Sequence, residues 1–368
     1  MKQHTLYKSI LLLGFVLSGF SMYGQAYRKN KSMTKSFGIE QNTELNVRNK
    51  YGRVQLINWE KDSVKFEILM EVHNKKEAKA IAIIEDIQIG FMSSKHYLES
   101  KTSFIGEDNF WSGVKDKTGN VFSSDNKISI DYKIYLPANM VVTIENKYGD
   151  VLLDDHLGNA TITLSNGDLK AHYLGGYTIL NLEFAYANIK KMESGQLNLG
   201  YHSELQLGTA DELRLNSKSS RVKIDNAVKL DIKSHRDKYS VKTVGLFKAT
   251  NSYTYLEIGS LQNQLSITAK YGDIDIEQIE KEVVSLSFEV DNTDINMIQP
   301  VSSSLNFELI YNERAGLYFP NPLKNKKTTL ENEKEKLVKT TGTLGDANSK
   351  PIKVKALIKS GNIRVSKN

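Results

Sequence analysis

This sequence predicts an all-β chain wound as a β-solenoid, single-stranded and β-helix-like, and three observations carry that reading. The first is a returning motif: Asn49-Lys50-Tyr51-Gly52-Arg53-Val54, then Asn146-Lys147-Tyr148-Gly149-Asp150-Val151, then Ala269-Lys270-Tyr271-Gly272-Asp273-Ile274. With Gly as the reference position, weaker copies set it at Gly149, Gly167, Ala187, Ser203, Ser220, Tyr239, Thr254, Gly272 and Thr293. From Gly149 to Thr293 the chain takes eight steps over 144 residues, a mean of 18. The second is alternation after the reference position. Aliphatic residues fall two places on, from Val54, Val151 and Leu169 through Ile189 and Val241 to Ile274 and Ile295, and again four places on, with Lys191 and Thr243 as exceptions. Apolar residues inward and polar ones outward, repeated at a fixed period, describe coils that bury their faces only by stacking on one another. The third is proline. All five prolines lie outside 138–299, as a continuous hydrogen-bonded ladder requires.

Each element follows in order. Lys2 and Lys8 flank the start of an apolar run from Ile10 to Leu17, with small residues at Ser18, Gly19, Ser21 and Gly24. That is the form of a secretory signal peptide over 1–24, too short to span a bilayer. Residues 25–140 form a β-rich region. Val64, Phe66, Ile68 and Met70 alternate with Lys65 and Glu67 as a half-buried strand. Asn74 and Glu77 read as a capping box, and Ala78, Ile81, Ile84 and Ile87 follow at helical spacing, so one short helix is expected over about 75–86. Residues 107–127 read as a polar loop holding Phe110 and Trp111, and 128–136 as a strand stopped by Pro137. The coils occupy 141–299. Residues 300–350 form a β excursion or cap, and 351–368 return as a last coil carrying Gly361-Asn362-Ile363.

Composition narrows the function classes. Hydrophobic content of 40% fits a packed core, and the net charge of +6 is spread, with Lys and Arg interleaved among Asp and Glu. Without a basic block no nucleic-acid face is expected. The absence of cysteine rules out a disulfide framework. Asp150, Asp168, Asp273 and Asp294 follow the reference position as turn residues whose carboxylates bond nearby amides. Asp154-Asp155-His156 lacks the companion motifs of pectin hydrolases, and the histidines form no column, so neither a catalytic nor a metal site is expected, and no cofactor. Tyrosine is the remaining lead, with 18 in the chain. Tyr51, Tyr148, Tyr186, Tyr253 and Tyr271 precede the reference position and form a row that either stacks on sugar rings or shields the coil corner. Asn166, His202, Ser219 and Lys238 interrupt it. Phe110 and Trp111 are the candidate contact for a protein partner.

The Asn-Lys-Tyr-Gly-Asp-Val motif, together with the leader, the early helix and the final Ser360-Gly361-Asn362-Ile363 coil, resembles the putative-adhesin β-solenoid domain of unknown function found in Bacteroidetes-type envelope proteins. The resemblance spans most of 40–368. It implies a non-enzymatic binding or scaffold module in the periplasm, on the outer membrane or at the cell surface. Its partner would be an unknown envelope protein or glycan. It also implies a link to envelope-stress regulation and contributes no catalytic residues.

Overall fold

The computed structural model describes residues 27–105, 127–300, 303–345 and 350–367. The leader expected over 1–24 and Phe110-Trp111 lie outside them. The described strands are β1 (Tyr27–Gly38), β2 (Glu44–Lys50), β3 (Val54–Asn58), β4 (Ser63–Asn74), then helix α1 (Glu77–Asp86), β5 (Ile87–Ser93), β6 (Tyr97–Phe104) and β7 (Lys127–Leu136). The coils follow: β8 (Val142–Lys147), β9 (Val151–His156), β10 (Ala160–Ser165), β11 (Asp168–Glu183), β12 (Tyr186–Gly200), β13 (Glu204–Lys218), β14 (Arg221–His235), β15 (Lys238–Ser252), β16 (Tyr255–Ile279) and β17 (Ser285–Ile298). The chain closes with β18 (Ser304–Asn312), β19 (Gly316–Tyr318), β20 (Lys324–Asn332), β21 (Leu337–Leu344), β22 (Pro351–Ile358) and β23 (Asn362–Ser366). The architecture is nearly all β and solenoid-like, an open sheet rather than a closed barrel.

Two compact units divide the described residues. The smaller takes 27–32, 69–88, 103–105 and 127–129. It holds α1, whose Ala80 and Ile84 are buried while Ile81 is exposed. The inward face is therefore set by Ala80, Ile84 and Ile87. Arg28 pairs with Glu71, and Lys29 Nζ lies 2.7 Å from Glu77. Asn74 does not cap the helix. It ends β4, its Oδ1 accepts the Lys76 amide at 2.6 Å, and the first helical residue is Glu77. The short side chain closes a local Asx turn instead, the alternative such residues always offer the backbone.

The larger unit is the solenoid. Consecutive coils pair in parallel, with Val142 beside Ala160, Ala160 beside Thr178, and Arg221 beside Lys238. The step is 18 residues at Asp150 to Asp168 and 17 at Glu204 to Arg221. Inward residues stack as rungs. Ile144, Ile162, Leu180, Leu197, Leu215 and Ile232 form one such column and are all fully buried. Each contributes about 1.5–3 kcal/mol by leaving water.

The register corrects the sequence alignment at two coils. Gly167 is followed along the column by Ala185, not Ala187, and Ser220 by Asp237, not Tyr239. Ile189 then joins Ala171 and Leu207, and Val241 joins Ile224 and Ile258. Lys191 and Thr243 cease to be exceptions, because they never occupy an inward site. Tyr186 drew the first misalignment by imitating the motif tyrosine two residues late, and at the second Tyr239 was set at the reference position two residues late.

Both ends use one device. The first coil, β2–β3, pairs on one side with β6 and β7 and on the other with β8 and β9 (Leu45 beside Leu98 and Val142). At the other end β22 enters between β17 and β18, with Val354 beside Leu286 and Ile352 beside Leu305. Each terminal coil is thus completed by chain that returns out of order.

Candidate functional site

The repeated motif builds one corner of every coil. The residue before the reference position adopts a left-handed backbone: φ is 62° at Tyr51, 59° at Tyr148, 58° at Asn166, 50° at Phe184, 65° at His202, 53° at Ser219, 58° at Arg236, and 53° at both Tyr253 and Tyr271. For a residue with a Cβ this costs roughly 1–2 kcal/mol. The stack holds it in place. Tyr148 N donates to Ser165 O at 2.9 Å, Ser219 N to His235 O at 3.0 Å, Arg236 N to Ser252 O at 3.0 Å and Tyr253 N to Lys270 O at 2.9 Å. The ladder continues through the turn, and beyond the first coil, where Tyr51 is buried, the corner side chain faces solvent. The next residue must lie close to the coil below. A Cβ on Gly149 would sit 2.0 Å from Gly52 O, which excludes any side chain there.

The rest of the motif works beneath. Asn146 Nδ2 donates to Gly52 O at 2.9 Å and to Asp150 O at 3.0 Å, and Asn49 Nδ2 donates to Ile130 O at 2.9 Å. Two aspartates after the reference position, Asp150 and Asp294, reach across to another coil. Asp150 Oδ1 accepts the Asp168 amide at 3.1 Å and Asp294 Oδ1 the Asn362 amide at 3.0 Å, so each ties one coil to the next. At Asp237 the carboxylate occupies the reference position itself. It accepts from Ser217 Oγ at 2.6 Å, Ser234 Oγ at 2.7 Å, Ser220 N at 2.7 Å and His235 N at 2.9 Å.

Four of the five tyrosines of the sequence-derived row stand on this corner. Tyr253 and Tyr271 stack with centroids 4.9 Å apart and planes at 10°, and both are half exposed. Tyr51 and Tyr148 stack at 5.4 Å and 3°, but Tyr51 is only 6% exposed, so of this pair Tyr148 alone is exposed, with Lys147 Nζ 5.1 Å from its ring centroid. Tyr186 is not in the row. It follows the corner, beside Asp168 and Glu204. Phe184 takes its place and stacks on Tyr201 at 5.6 Å and 16°. Counting on from the inward Leu180 and Leu182, rather than matching tyrosine to tyrosine, identifies Phe184.

From His202 to Tyr271 the corner opens into a groove of about 560 Å³ over the buried Ser220, Asp237 and Thr254. Ser219 leaves room in its middle. Three coil spacings, about 14 Å, separate the Phe184–Tyr201 stack from Tyr253. Arg221 leans on Glu204 at 3.2 Å. Arg236 lies against the Tyr253 ring, its Cζ 5.9 Å from the centroid, and Lys238 Nζ is 5.2 Å from the Tyr255 ring. The hydrogen bond from Tyr255 to Asp275 pushes the phenol up to about 12. A second hollow, about 650 Å³, lies among Glu40, Glu44, Asp62 and Met140 and has no aromatic lining.

His156 is 2% exposed and turned into the core, where burial holds its imidazole below the usual range. Asp155 Oδ1 is 2.5 Å from His172 Nδ1 on the exposed surface. Among the described residues no group of three potential ligands could hold a metal ion, and no helix is long and apolar enough to cross a membrane.

No protein-family model matches this chain, and no curated protein does. Solved structures are similar to it, among them the following two. One is described as a putative cell adhesion protein from Clostridium sporogenes, 12% identical, covering 92% of this chain and 100% of its own, with a TM-score of 0.22. The other, described as a putative adhesin from Bacteroides fragilis, is 12% identical, covers 91% of this chain and 97% of its own, and has a TM-score of 0.26. Likenesses this distant leave function to be argued from the chain's own residues.

Proposed function

We propose that this protein is an exported, non-enzymatic binding module of the cell envelope, adhesin-like, and that it holds a glycan along the left-handed corner. One observation carries the reading: corner after corner, side chains are held outward at a backbone cost, and the two most exposed stacks flank a groove. Planar rings fixed in this way offer apolar faces to the C–H face of a sugar with little further loss of side-chain freedom. Export rests on the basic and apolar pattern of the leader. The reading is tested by probing a polysaccharide array with the chain from residue 25 to 368, beside a variant carrying Tyr148→Ala, Tyr253→Ala and Tyr271→Ala. Binding by the native chain and its loss in the folded variant are expected. Equal binding by both sinks the corner reading. An array that stays dark while one envelope protein is retained moves the chain to a scaffold role.

A further inference from the structure

The groove between the stacks is not a plain aromatic platform. Its charges divide unevenly between those already used and those left over. Asp237 is spent beneath the floor on four hydrogen bonds, and Glu204 is engaged by Arg221. Arg236 and Lys238 have no carboxylate within ion-pair distance among the described residues. Arg236 is also the corner residue of its coil, with φ at 58°, so its guanidinium is carried outward on a fixed turn beside the Tyr253 ring. Asp273 stands on the same groove, exposed, as an acceptor.

We infer that this groove takes an acidic polysaccharide, a sugar chain bearing carboxylate or sulfate, and the inference rests on the corner reading above. The parts match the ligand. The exposed parts of the Tyr253–Tyr271 stack offer apolar contact to sugar rings. Arg236 offers a planar fork that binds a carboxylate or sulfate through two parallel N–H groups, and Lys238 adds a point charge. Asp273 accepts a sugar hydroxyl. A neutral glycan would use the rings and leave two cations unanswered. A peptide strand would need an open sheet edge, whereas here the backbone groups of the corner are consumed by the coil-to-coil ladder.

The test is titration calorimetry of the chain from residue 25 to 368 with polygalacturonate, heparin and neutral dextran. Polygalacturonate or heparin is expected to bind at least about tenfold more tightly than dextran. The preference should weaken when salt rises from about 0.1 to 1 M and the screening length falls from about 10 to 3 Å. Arg236→Gly is the decisive variant, because glycine suits the left-handed corner and the protein stays folded. It should lose about tenfold toward the acidic chain, with Arg236→Lys between it and the native protein. Lys327→Ala on β20 is the control for diffuse attraction to a basic protein and should bind normally. If heparin alone binds, sulfate is the group recognised; if polygalacturonate binds too, carboxylate suffices. Either result supports the inference. Dextran binding as well as the acidic chains, or Arg236→Gly binding unchanged, overturns the acidic ligand, and a persisting loss in Tyr253→Ala would then leave the corner reading intact. Equal losses in Lys327→Ala and Arg236→Gly reduce the effect to net charge and overturn the inference. No binding to any of the three overturns it as well.

Discussion

Asp237 shows how much one side chain in this corner can hold. Its coil has aspartate where others have glycine, alanine or a hydroxyl residue, and both carboxylate oxygens are committed to two serine hydroxyls and two amides from its own and the preceding coil. Asp237→Ala would leave the Ser220 and His235 amides without their acceptor, while the Ser217 and Ser234 hydroxyls keep Tyr239 Oη and Thr254 Oγ1 as partners. A loss of about 3 kcal/mol is expected, since hydrogen bonds to a charged group contribute about 1.5–3 kcal/mol each and water can reach some of the donors. Urea unfolding measures it, and a loss within error of zero would mean water replaces the carboxylate. A second residue sets a pH limit. Tyr132 is buried, its hydroxyl 2.8 Å from Thr102 Oγ1, and burial pushes its phenol up to about 12. The unfolded phenol ionises near 10. Stability is therefore flat below pH 10 on account of this group and falls between pH 10 and 12, by about 3 kcal/mol in all. Tyr132→Phe should flatten that fall. An unchanged alkaline slope would assign it elsewhere, Tyr239 first, which is also buried with its phenol raised.

At the scale of the coil, much was readable and the failures share one cause. Period, alternation and the missing prolines point to stacked strands without any knowledge of partners, because every coil meets the same neighbours. The helix was readable from isoleucine spacing, but its start was not, since Asn74 closes a turn instead of capping. The corner column was partly readable. Motif matching found Tyr148, Tyr253 and Tyr271, missed Phe184, and wrongly admitted Tyr186, because it followed tyrosine rather than the inward residues, and a step that changes from 18 to 17 residues between coils hides the slip. The step changes even within one corner: Glu183 pairs with Gly200, and Tyr186 with Glu204. The cations of the groove carried no motif. Only the register sets Arg236 in the same column as tyrosines. Where the rungs are continuous, a prediction follows. Leu230 is fully buried between Leu213 and Phe247. Leu230→Ala should cost about 2–5 kcal/mol, because neighbours held in two ladders relax little into the cavity. Chemical denaturation checks it, and a cost under 1 kcal/mol would show that the coils close up.

For the solenoid as a whole, stability depends on how its ends are closed. A stack of parallel strands has two open edges, and an open edge recruits other chains. Here each end is closed by chain that returns past its neighbour in sequence: β6 and β7 beside the first coil, and β22 and β23 beside β17. The outermost hairpin strand, β20, is exposed along its whole length and carries Lys324, Lys326 and Lys327, charges that discourage pairing. The returning C-terminal strands bring Ile352, Val354, Ile358 and Ile363 into full burial. A chain ending at residue 349 should therefore do more than lose a few contacts. It should bare the β17 edge, leave β18 without its parallel partner, and associate in a concentration-dependent way on size-exclusion chromatography, while the native chain keeps one elution volume over the same range. Should the truncated chain elute unchanged and unfold at the same urea concentration, the inserted strands would be ornaments of the end, and the hairpin of β20 and β21 with β18 would be the true cap.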